Sequence, residues 1–156
     1  MTKKSSKKTG RLNLLLVNGP LLGVLGKRSP EIYGTDTLKD IESWIVARAA
    51  ESGADVKCFQ SESEGDILKF LLDNADEVDG VIINPGAYAH YSIALRDCLE
   101  YLPCPVIEVH LTNLFQREQF RHESVTGAVC DGVIMGLGKQ GYLAALMYLL
   151  NKLEES

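Results

Sequence analysis

Apolar positions along this chain alternate between two periods, and the alternation predicts strands interleaved with helices. Residues 12–17 form an almost unbroken apolar run, which reads as a strand buried on both faces. Residues 18–36 then connect onward with four Gly and two Pro. Connections of that length in compact domains carry function or stay disordered. Thr37 caps the next helix, with Asp40 three residues on in capping-box fashion. Leu38, Ile41, Ile45 and Ala49 mark its apolar face, and Gly53 ends it. Residues 56–59 read as a second strand. A second helix over 63–75 is expected to turn Ile67, Leu68, Leu71 and Leu72 inward. A third strand, 80–83, runs into Asn84-Pro85-Gly86, and a third helix covers 92–101. Pro103 and Pro105 lead into a strand at 106–109. A short helix near 116–120, a strand at 132–135 and a last helix over 140–153 complete the chain.

Strands alternating with helices predict a parallel sheet with right-handed crossovers. Five such units at this length predict the α/β, flavodoxin-like, doubly wound three-layer fold, strand order 2-1-3-4-5. Ligands in that fold lie beyond the carboxyl ends of the strands, where the order reverses. The loops after strands 1, 3 and 4 are therefore expected to share one crevice.

Composition sets the bounds. The chain has 156 residues, enough for one core without disulfides or metal. The expected organisation is a disordered basic tail over 1–11 and a single domain over 12–153. No apolar run reaches membrane-spanning length, and the polar, basic start is no secretory signal, so the expected location is cytoplasmic. Cys58, Cys98, Cys104 and Cys130 form no CxxC pair and read as reduced thiols. Residues 1–11 hold five of the sixteen Lys+Arg and no acid, leaving eleven bases against twenty-one acids, or −10. An acidic body argues against phosphate-backbone binding to nucleic acid.

Each crevice loop carries unusual residues. The first reads NGPLLGVLGKRSPEIYG, with Arg28 five residues before Tyr33. A phenol becomes a base only where cations favour its ionised form. The bland reading is a solvated arginine and a packing tyrosine. The second loop, NPGAYAHYSIALRD, places Asn84 at the crevice floor and His90 near a helix start, where backbone N–H groups hold anions. A turn asparagine and an exposed histidine are the plain alternatives. The third, EVHLTN, puts Glu108 and His110 on one side of a strand, since i and i+2 share a face. A carboxylate beside an imidazole orients the ring and favours its charged form, suited to a general acid; a structural ion pair is the alternative. His90, His110 and His122 all follow strands 3 and 4, but no HxH, HxxxH or Cys-rich spacing predicts a metal.

Taken together, the segments resemble the type II 3-dehydroquinate dehydratases from Leu12 to about Leu150. The anchors are NGP at 18–20, LG with R-x-P-E-I-Y-G at 25–34, NPGAYAHYSIALRD at 84–97, EVHLTN at 108–113, FRHES at 120–124 and GVIMGLGKQGY at 132–142. The resemblance implies elimination of water from 3-dehydroquinate to give 3-dehydroshikimate in the shikimate route, with no cofactor. It implies Tyr33 as proton acceptor, Arg28 as its activator, His110 as proton donor and Glu108 as the histidine's partner. Asn84, His90, Leu111, Thr112 and Arg121 are implied substrate contacts. Asp97 is implied to reach a substrate site from a neighbouring subunit, in a dodecamer of trimers. One departure stands out: Leu21 occupies a position where the family usually has asparagine, which helps hold a water against the enolate oxygen. Losing an oxyanion donor costs about 10²–10³ in rate. A second reading is therefore an impaired relative that binds ligand or serves as a scaffold. A third, resting on fold class alone, is a flavin-binding module. The loop after strand 1 offers that reading no compact Ser/Thr-rich phosphate loop or GxGxxG.

Overall fold

A computed structural model describes residues 10–156. The expected basic tail therefore lies outside the described residues up to position 9. Five strands, β1 (Leu12–Asn18), β2 (Ala54–Gln60), β3 (Gly80–Asn84), β4 (Val106–His110) and β5 (Gly132–Met135), form one sheet in the order β2-β1-β3-β4-β5. All four pairings are parallel. That is the order expected from the alternation of strands and helices. The helices are the single turn α1 (Pro30–Tyr33), then α2 (Leu38–Glu51), α3 (Glu64–Asp73), α4 (Ile93–Tyr101) and α5 (Gln140–Glu154).

Strand parity divides the core in two. Leu14 and Leu16 of β1, Ile82 of β3, and Ile107 and Val109 of β4 pack with α2 and α5. Their neighbours Leu15, Val17, Val81, Ile83 and Val106 pack with α3 and α4. Successive strand residues point to opposite faces, so a strand covered on both sides must be apolar at every position. The capping box forms as expected: Asp40 N–H donates to Thr37 Oγ1 at 3.1 Å, and Thr37 N–H to the Asp40 carboxylate at 3.0 Å.

Three expectations need correction. Leu72 is 50% exposed rather than inward, because Ile67 and Leu71 already fill the stripe that α3 lays on the sheet, and Leu72 lies a further 100° around the helix. The short helix near 116–120 is instead two 3-10 turns, Leu114–Gln116 and Gln119–Arg121, the first capped by the Asn113 side chain. The 18–36 connection has structure: a 3-10 turn at Leu22–Val24, whose Leu22 reaches the core together with Leu25, and then α1. Apolar anchoring of the loop is what its Leu-rich start provides. No helix among the described residues is long and apolar enough to cross a membrane.

Candidate active site

β1, β3 and β4 each end on a polar side chain: Asn18, Asn84 and His110. All three are buried. A buried polar group must be hydrogen-bonded or be costly, so these ends locate the chemistry.

By parity with Val106, Glu108 and His110 lie on the α3/α4 face. Glu108 is fully buried, and His110 Nε2 lies 2.9 Å from Glu108 Oε2. A carboxylate only accepts, so Nε2 carries the proton and Nδ1 is left to face other partners. Ser124 Oγ donates to the same carboxylate at 2.6 Å, and Thr126 Oγ1 donates to its other oxygen. Three donors thus hold one buried carboxylate. Without them its burial would cost several kcal/mol. The Ser124–Thr126 segment can approach because residue 127 is glycine: a Cβ there would lie 2.9 Å from Glu108 Oε2. The His90 ring lies 6.3 Å from that of His110, nearly parallel at 19°. Its Nδ1 donates to the Glu123 carbonyl at 2.8 Å, leaving Nε2 available.

Tyr33 closes α1 and packs against the α2/α5-side core. The Arg28 guanidinium carbon lies 5.1 Å from its ring centroid and that of Arg117 5.6 Å. Arg117 also donates to Thr112 Oγ1 at 3.2 Å. Tyr33, Leu111, Thr112 and Arg117 line one cleft of about 530 Å³, rimmed by the Asp36–Lys139 ion pair at 3.3 Å. Base and acid candidates thus sit on opposite faces of the sheet, at its carboxyl edge.

Not every expected residue reaches this cleft. Arg28, Asn84, His90, Asp97, Glu108, His110 and Arg121 are absent from its lining. Arg121 pairs with Glu118 in the loop beyond it. Asp97 stands on the outer face of α4, its side chain 67% exposed and 3.7 Å from Arg96. Asn84 Nδ2 is bonded to the Tyr142 hydroxyl at 3.0 Å. Conversely, Arg117, Ser124, Thr126 and Tyr142 carry the arrangement, and sequence reasoning assigned none of them a part. Only FRHES hinted at Ser124. Arg117 shares a loop with Arg121, and spacing cannot choose between them. A G-x-G-x-x-G run does occur at 136–141, between β5 and α5. It is no phosphate cradle: the N–H groups of Gly136 and Gly138 donate to the carbonyls of His110 and Leu111 and fasten the end of β4.

Leu21 holds a left-handed backbone, φ 65°, with its N–H on Glu62 Oε2 at 2.8 Å and its side chain half exposed. That conformation costs a branched residue about 1–2 kcal/mol, and asparagine tolerates it far better. Leu21→Asn is expected to raise the thermal midpoint by roughly 3 °C, since 1 kcal/mol is worth about 2–4 °C at this size. A fall measured by calorimetry would refute the strain argument.

A doubly wound parallel sheet whose carboxyl edge gathers a carboxylate-held imidazole and a cation-flanked phenol defines a class: flavodoxin-like α/β enzymes of general acid–base type. Comparison with known proteins narrows the class. Residues 12–150 match the model of the family described as Dehydroquinase class II, and the chain belongs to that family. The 3-dehydroquinate dehydratase of Bacillus mycoides (strain KBAB4) is 50% identical over 143 residues, covering 92% of this chain and 98% of that one. Two solved structures superpose closely. The type II dehydroquinase from Propionibacterium acnes has TM-score 0.88 and 42% identity, over 92% of this chain and 99% of its own. The type II dehydroquinase from Butyrivibrio crossotus has TM-score 0.87 and 40% identity, over 89% and 97%.

Proposed function

We propose that this chain is a 3-dehydroquinate dehydratase, eliminating water from 3-dehydroquinate to give 3-dehydroshikimate. The observation that carries the reading is the presence, at one sheet edge, of a phenol with two guanidinium groups against its ring and of an imidazole fixed by a triply held carboxylate. Relatives of nearly the same length bear the name of that enzyme. Arg28 and Arg117 place two guanidinium groups against the Tyr33 ring. Tyr33 as phenolate takes a proton from the carbon next to the ketone, and an enolate forms. The enolate collapses, the carbon–oxygen bond to the leaving hydroxyl breaks, and His110 gives that oxygen its proton. The ketone itself acidifies the carbon, so the chemistry calls on no cofactor.

Thr112 and Arg117 at the cleft, with the backbone around Leu111, offer donors to the substrate carboxylate. Asn84, His90 and Arg121 complete the proposed contacts. Asp97 faces outward, in keeping with a contact delivered to a neighbouring subunit of a dodecamer of trimers. Residues 12–153 act as one catalytic unit in the cytoplasm. Added 3-dehydroquinate should yield a conjugated enone followed in the ultraviolet. No product at micromolar enzyme would sink the reading, and ligand binding without turnover would mark a non-catalytic relative instead.

A further inference from the structure

The amide of Asn18 is left half-used by a chain of hydrogen bonds whose direction can be deduced. Gly86 N–H donates to Asn84 Oδ1 at 3.1 Å. A backbone N–H can only donate, so this contact fixes which end of the Asn84 amide is oxygen. Asn84 Nδ2 then donates to the Tyr142 hydroxyl at 3.0 Å. The hydroxyl's own proton must go onward, to Asn18 Oδ1 at 2.6 Å. The Tyr142 ring is fully buried and burial raises its pKa, so the hydroxyl keeps that proton. Asn18 is thereby left presenting its NH₂ group. Among the described residues, Asn18 Nδ2 is the one buried side-chain polar atom without a partner.

The chain is rigid as well as directional. Asn18 and Asn84 are register partners on β1 and β3, and Tyr142 enters between them from α5. The turns beyond them lock backbone to backbone: Gly19 N–H donates to Asn84 O at 2.8 Å, and a Cβ on Gly19 would lie 2.3 Å from Pro85 O. An unmet buried donor is costly unless something bonds to it. Asn18 does not line the 530 Å³ cleft, but it sits at the reversal of strand order, where ligands bind in this fold.

We propose that Asn18 Nδ2 is a hydrogen-bond donor to the oxygen that gains negative charge when the substrate is deprotonated, directly or through one bound water. The proposal rests on the dehydratase reading. Parity supplies the location: Leu14 and Leu16 put Asn18 on the α2/α5 face, where Tyr33 also packs and where Leu22 and Leu25 tie down the covering loop. The base removes its proton from the carbon next to the ketone, so the oxyanion develops on the base's side of the sheet edge, away from His110. Leu21 brings no side-chain donor to that side.

Asn18→Asp keeps the acceptor that Tyr142 needs and removes the donor. With Asn18→Ala beside it, each variant should lose about 10²-fold in kcat, the typical loss for one oxyanion donor, with KM within about threefold of wild type. A merely structural asparagine would lower the melting temperature and leave kcat per folded molecule unchanged, and that result would overturn the proposal. A crystal structure of the wild-type enzyme with 3-dehydroshikimate bound separates the two sources of oxygen: Nδ2 at about 2.7–3.1 Å from the ketone oxygen, or from a water bridging to it. An Nδ2 bonded to protein alone in that structure overturns the proposal even if the variants fail to fold. A wild type without turnover would remove the dehydratase reading and this proposal together; an active wild type with unimpaired variants would remove only the proposal.

Discussion

Tyr33→Phe is expected to lower kcat for 3-dehydroquinate by about 10³-fold, within the range a positioned base contributes, while the fold stays intact. The substitution deletes one oxygen. The ring remains, and so do its packing on the α2/α5 core and the Arg28 and Arg117 groups over its face. Those guanidinium groups would still find a π-face, worth about 0.5–1 kcal/mol each at an exposed site. Melting temperature and far-ultraviolet circular dichroism should therefore match the wild type. A variant that retained a tenth of wild-type turnover would remove Tyr33 from the role of base. Arg28 and Arg117 would then need another explanation for converging on it.

The second large effect is expected at Glu108. In Glu108→Gln the size is kept, but an acceptor-only group becomes half donor. His110 Nε2, Ser124 Oγ and Thr126 Oγ1 all donate to that position, so the new NH₂ meets donors instead of filling a gap. Because the site is fully buried, water cannot repair the mismatch. The expected cost is about 3 kcal/mol, near the lower end for breaking a buried charged pair, which is roughly a 10 °C fall in melting temperature. Turnover should fall by about 10²-fold or more, because the imidazole loses the carboxylate that orients it. Calorimetry and the ultraviolet assay on the same preparation read the two losses separately. If stability fell while turnover per folded molecule held, Glu108 would be a structural acceptor only.

Much of this site was legible one strand at a time. Glu108 and His110 share a face because the side-chain period of a strand is two, and no tertiary information is needed for that. The same rule puts Leu16 with Asn18 and Ile82 with Asn84. The link through Tyr142 was not legible: Asn18 and Tyr142 are 124 positions apart, and nothing local says that a helix near the C-terminus sends a hydroxyl between two strand ends. Ser124 and Thr126 were missed for a related reason. They lie in a loop with no periodic pattern, and only the fold brings them to Glu108.

By itself, the sequence determined the element order, the parallel sheet, the two-faced core and the resemblance to a family of dehydratases. These follow from apolar spacing, capping residues such as Thr37, and long ordered motifs. The tertiary structure alone decided that Arg117 rather than Arg121 lies over Tyr33, that Leu72 faces out, and that Leu21 takes a left-handed backbone. It also decided which end of the Asn18 amide is left free. The physical reason is one of range. Helix and strand periods are written in neighbours a few residues apart, whereas the partner of a buried charge or amide is chosen by whatever the fold brings within about 3 Å, at any separation along the chain.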